Sequence, residues 1–152
     1  AVGPYAGAAQ LWNVGEFGCD LLIASQASLS VAAGGCQKLL LSAGLDGPAE
    51  PYFLVGSASG FQPGLTLGAT IVPLNPDPYL NWTLAHPNTA VLQDTFGILD
   101  PTLPSVCAVC LPSGAGAALV GITLHHAYVG LDFALPGLVT YASNPVALEL
   151  LP

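Results

Sequence analysis

Apolar residues in this chain come in short runs that alternate with polar or small ones, and glycine, proline, asparagine and aspartate cut the runs apart. Within 37–43, Gln37, Leu39 and Leu41 fall on one face of an extended chain, with Lys38, Leu40 and Ser42 on the other. Near the end, Val146, Leu148 and Leu150 alternate with Ala147, Glu149 and Leu151. Such period-two patterns predict antiparallel strands with one buried and one mixed face. Strands are expected at 21–31, 36–43, 52–57, 65–73, 91–99, 105–111, 119–132, 138–143 and 146–150. Between them lie turn-forming clusters at 33–35, 44–48, 73–78 and 112–116. Proline is too frequent for any helix beyond a turn or two, and 78–85, the one stretch with helical character, is read as a loop. The pattern predicts an all-β fold, an antiparallel β-sandwich of jelly-roll or immunoglobulin-like type with an extended N-terminal arm. Residues 1–18 are the arm and 19–152 the sandwich domain; no repeat of 20–50 residues is present.

Composition changes the picture of the surface. Charged residues are 7% of the chain, where about 25% is usual. Lys38 is the single base against nine acids, and the net charge is −8. A compact monomer of this size exposes roughly 7,100 Å², most of which must then be uncharged. Monomers seldom leave large apolar patches in water, so neighbouring copies are expected to cover much of this surface. One lysine cannot form the basic patch that nucleic acid or an anionic membrane surface requires. No apolar run reaches the ~18–20 residues of a spanning helix. An alanine at position 1, the lack of methionine and an even count of four cysteines fit a secreted protein, extracellular or at the cell surface.

The arm carries Leu11, Trp12, Val14 and Phe17 in a segment otherwise dominated by small residues. It either lies on its own domain or inserts into the next subunit as an added strand. Head-to-tail insertion does not close on itself and generates a filament.

From residue 19 to the end the chain resembles a β-rich domain found at the C-termini of secreted proteins from Planctomycetes-type bacteria. The likeness rests on Leu29-Ser30, Gly34-Gly35, Gln37, Gly56-Ser57, Ser59-Gly60, Pro63-Gly64, Pro73-Leu74-Asn75, Asp77, Tyr79 and Pro87-Asn88. It is densest at Leu124-His125-His126-Ala127-Tyr128-Val129, Asp132 and Ser143-Asn144-Pro145-Val146. The chain departs from the pattern at Cys36, Cys107, Cys110 and in the arm. The resemblance implies export and a sandwich fold, and no activity.

Chemistry is sparse. In a strand, Cys107 and Cys110 lie about 10 Å apart on opposite faces, beyond disulfide reach. Cys36–Cys110 with Cys19–Cys107 is the pairing expected; Cys19–Cys36 with a local Cys107–Cys110 bridge is the competing scheme and needs a turn at 107–110. His125 and His126, with His86 as a third group, suggest a metal, but neighbours on a strand point to opposite faces. Carboxylates are scattered beside turns, and Asn75, Asp77 and Asp94 are the oxygen donors that a calcium ion would use, though in no recognised calcium-loop spacing. No nucleophile elbow, phosphate loop or dinucleotide fingerprint occurs. The protein is therefore expected to be no enzyme, to hold no metal or cofactor, and to be a structural subunit of an extracellular homopolymer whose partner is itself. The alternative is a carbohydrate-binding module, in which Tyr79, Trp82 and Tyr128 stack on polysaccharide.

Overall fold

The computed structural model describes residues 21–42, 50–100, 102–134 and 138–152. The arm 1–18, with Leu11, Trp12, Val14 and Phe17, and also Cys19, lie outside the described residues. Among the described residues there are twelve strands: β1 (Leu22–Ala24), β2 (Ser28–Ser30), β3 (Gly35–Leu41), β4 (Glu50–Ser57), β5 (Leu65–Leu67), β6 (Thr70–Val72), β7 (Leu92–Gln93), β8 (Phe96–Leu99), β9 (Ser105–Leu111), β10 (Thr123–Leu131), β11 (Val139–Ala142) and β12 (Val146–Leu151). A four-stranded antiparallel sheet runs β1-β3-β9-β7. A larger sheet runs β2-β12-β10-β4-β8, with β11 beside β10; among the described residues only its β2–β12 pair is parallel. The fold is all-β, as the alternation predicts.

Two expected strands are each divided between the sheets. The 21–31 run becomes β1 in the small sheet and β2 in the large one, with the crossing at 25–27. Ser25 anchors that crossing: its N–H donates to the Lys38 carbonyl and its Oγ accepts from the Lys38 N–H. The 91–99 run becomes β7 and β8, parted by Asp94 at φ 54°. A non-glycine residue in the left-handed region turns the chain out of the extended course of a strand, and the run breaks there.

Residues 78–85, expected as a loop, form helix α1 (Pro78–Ala85). Asp77 makes the difference: it adopts an extended backbone and its carboxylate accepts from the Leu80 N–H. Proline follows at the first helical position, where its missing N–H has no helical partner to lose.

The two sheets face each other across a core of Leu22, Leu39, Leu41, Tyr52, Leu54, Leu92, Leu99, Tyr128, Leu148 and their neighbours. A second cluster lies on the other face of the large sheet, where Val55, Ala127, Val129 and Leu131 pack against Val72 of the β5–β6 hairpin and Leu80 of α1. The centre of the large sheet is thus buried on both sides. That is why β10 is continuously buried from His126 to Leu131 and does not alternate.

Candidate functional site

Polar groups converge where α1 meets the ends of β4 and β10. Asp77 Oδ2 accepts from the Ser57 and Ser59 hydroxyls at 2.9 and 2.7 Å and from the Ala58 and Ser59 N–H groups at 2.7 and 2.8 Å. Burial alone raises the Asp77 pKa, but these bonds and the Leu80 N–H outweigh it and hold the carboxyl down at about 2. Asn75 ties the same loop, donating to the Ser59 and Gln62 carbonyls and accepting from the Gly64 N–H. At the second helical position, two residues after Asp77, the Tyr79 hydroxyl lies 2.9 Å from His126 Nε2. His126 is fully enclosed, and burial followed by the neighbouring His125 lowers its pKa to about 3, so the ring is neutral. Gly56 is what lets the two rings meet: a Cβ there would lie 2.6 Å from the Tyr79 ring and 2.7 Å from the His126 ring.

Other residues of the resemblance are likewise spent on the fold. Ser143 Oγ accepts from the Tyr128 N–H and donates to the Asn144 carbonyl. Asn144 accepts from the Leu21 and Leu22 N–H groups and donates to the Leu22 carbonyl, pinning β1 across the sandwich. Asp132 accepts from the Ala134 N–H. Each satisfies backbone groups at or just beyond the end of a strand.

The expected chemical groups are dispersed. His126 meets Tyr79, His125 packs on Phe61 at 5.0 Å, and His86 stacks on Trp82 at 4.8 Å. Asn75 and Asp77 are committed to the loop bonds above, while Asp94 offers its backbone carbonyl to the Tyr52 hydroxyl. Among the described residues no three His, Cys, Asp or Glu side chains are grouped to hold a metal ion.

Cys36 and Cys110 face each other directly in the β3–β9 register, Cα atoms 4.0 Å apart, and are joined by a disulfide. Of the other expected bridge, Cys19–Cys107, Cys19 lies outside the described residues, and Cys107 carries a free, buried thiol. Cys107 sits three residues from Cys110, hence on the inward face, where it packs in the core beside its register partner Leu39. Burial, then Asp94, pushes that thiol up to about 12, so it is an inert core group.

The proposed sugar platform is only partly assembled. Tyr79, Trp82 and His86 form a ladder along α1, with Tyr79–Trp82 centroids 6.0 Å apart and 15° between planes. Trp82 is 37% exposed. Tyr128 cannot belong to it: the ring is fully buried in the core and its hydroxyl donates to the Ser42 carbonyl. Its place in β10 puts it on the face turned toward the small sheet, alongside Leu54 and Tyr52 of β4.

Two apolar recesses flank these residues, and neither was visible in the sequence. The first is a pocket of about 430 Å³ between the sheets, whose walls include Leu29, Val109, Leu124, Leu148 and Leu150, with Tyr79 and Trp82 of α1. The second is a groove of about 280 Å³ on the outer face of the large sheet, walled by Phe53, Leu65, Leu67, Leu84, Leu138 and Val139 among others. Its rim continues through Phe96, whose ring lies 5.4 Å from Phe53, to Ile98. Leu84, Phe96, Ile98 and Leu138 are 49, 38, 62 and 39% exposed. The alternation of Phe96 and Ile98 was the available signal, hidden inside a run read as one strand.

Comparison with protein-family models, curated proteins and solved structures yields no match.

Proposed function

We propose that this protein is a subunit of an extracellular homopolymer, joined through the apolar outer face of its large sheet. The observation that carries this reading is the row Leu84, Phe96, Ile98 and Leu138, all exposed, around an apolar groove on a chain with one base and nine acids. Apolar surface of this kind, continuous with a groove, is characteristic of an interaction site. Among the described residues β8 pairs only with β4, so it is an edge strand. Asn88 already occupies the N–H and C=O of Phe96. By the alternation of an antiparallel ladder, the groups left for an incoming strand are those of Ile98.

The occupant is residues 11–17 of a second copy. Residues 11–17 carry four apolar side chains and one charge, Glu16; in an added strand Leu11 and Phe17 share one face and Trp12 and Val14 the other, so one of these pairs seats in the groove. Strand addition of this type repeats head to tail and makes a filament. Export is part of the same reading: the Cys36–Cys110 disulfide fits an oxidising compartment, and the likeness to secreted bacterial domains points the same way.

Electron microscopy of the purified full chain is expected to show regular polymers that vanish when 1–18 is deleted. A chain that stays monomeric by sedimentation at millimolar concentration overturns the reading.

A further inference from the structure

We infer that the inter-sheet pocket is a binding site for an uncharged apolar small molecule, independently of any assembly. The pocket lies at the open end of the sandwich, with Leu124, Leu148 and Leu150 of the large sheet on one side and Val109 of the small sheet on the other. At about 430 Å³ it falls within the range of ligand pockets rather than of packing defects. Water in this recess finds few polar partners among the aliphatic and aromatic side chains that the described residues contribute, so an apolar occupant displaces it at little cost.

Charge settles the chemical class. The chain's one base, Lys38, lies on the outer face of β3, alternating with the core residues Gln37 and Leu39, and is not part of the pocket wall. A carboxylate, phosphate or sulfate head would find no basic partner among the described residues that line the pocket, and burying it unpaired is costly. At ~30 Å³ for each water- or methylene-sized group, the volume holds about fourteen such groups. That is the size of a medium-chain alcohol or a small fused-ring hydrocarbon. Trp82, partly exposed and stacked on Tyr79, forms the wall an aromatic or alkyl ligand would slide past.

The test uses the full chain carrying Trp12→Phe, so that Trp82 is the sole indole, titrated with 1-dodecanol and with dodecanoate at pH 8. Saturable binding of one dodecanol per chain, with a shift in Trp82 emission and at least about tenfold weaker binding of dodecanoate, is the expected result. Leu124→Phe, at a half-buried wall position, is expected to fill the pocket and weaken dodecanol binding about tenfold while thermal melting shows the fold intact. Ile122→Phe, on the same wall, serves as the second filling variant. Equal binding of dodecanol by the parent and both filled variants overturns the inference, as does equal affinity for dodecanoate. So does binding that appears only after residues 1–20 are deleted, since the chain's own apolar residues would then be the occupant. No binding in any form overturns it as well.

Discussion

The Tyr79 hydroxyl and the His126 imidazole, 47 residues apart, share a 2.9 Å hydrogen bond over the bare Cα of Gly56. That bond ties α1 to the middle of the large sheet. It also encloses a histidine that must remain neutral.

Enclosure makes stability depend on pH in a defined window. The native His126 titrates near 3, and the unfolded one near 6.5. Above 6.5 neither form is protonated and the term vanishes. As pH falls from 6.5 toward 3 the unfolded chain takes up a proton that the native state refuses, so stability is lost. At pH 5 the loss is about 2 kcal/mol at 1.36 kcal/mol per pH unit. Urea melts between pH 7 and 5 are expected to show it, and His126→Gln to flatten the profile.

Gly56→Ala places a methyl group into both rings, neither of which sits on a flexible tail. A loss of about 1–3 kcal/mol is expected from forced repacking, measured by denaturant unfolding. An unchanged midpoint would show that the Tyr79–His126 contact yields freely.

Asp77→Ala removes the helix cap together with four further bonds to the 57–59 loop. A cap alone is worth about 0.5–2 kcal/mol, so the loss is expected to exceed that of Asp77→Asn, which keeps one acceptor oxygen. The comparison is again by unfolding. Equal losses for the two substitutions would contradict the assigned role.

The disulfide closes a loop of 74 residues in sequence. On the chain-entropy account it contributes about 4 kcal/mol, and Cys36→Ala with Cys110→Ala should lower the melting temperature accordingly. Cys107 is expected to resist alkylation in the native protein and to react once unfolded, as read by peptide mass. Native labelling at Cys107 would contradict its burial.

Ile98→Lys places a charge on the open edge of β8 at a side chain 62% exposed. Folding stability is expected to change by less than about 0.5 kcal/mol while polymer formation is abolished. Polymers that persist in this variant would remove the outer face of the large sheet from the assembly.

Alternation within single segments was legible in the residues themselves. Gln37, Leu39 and Leu41 face inward and Cys36, Lys38 and Leu40 outward, as period two requires. The same rule set Cys107 and Cys110 on opposite faces and led to the Cys36–Cys110 bridge. The helix at 78–85 was missed because its signal is a single capping carboxylate, Asp77, among prolines that argue against helices in general. Tyr128 was misplaced because its strand is buried on both faces, which erases the alternation that tells inside from outside.

Strand-forming segments, the turns between them and the poverty of charge are written locally, since steric preference and side-chain direction act over a few residues. Which sheet a segment joins is decided by partners far along the chain. Only tertiary pairing could send β1 and β2, or β7 and β8, to different sheets. Only packing of α1 and the β5–β6 hairpin on the large sheet could create the second apolar layer and the open groove beside it. Surface exposure is a property of what lies opposite a residue, and no local pattern specifies that.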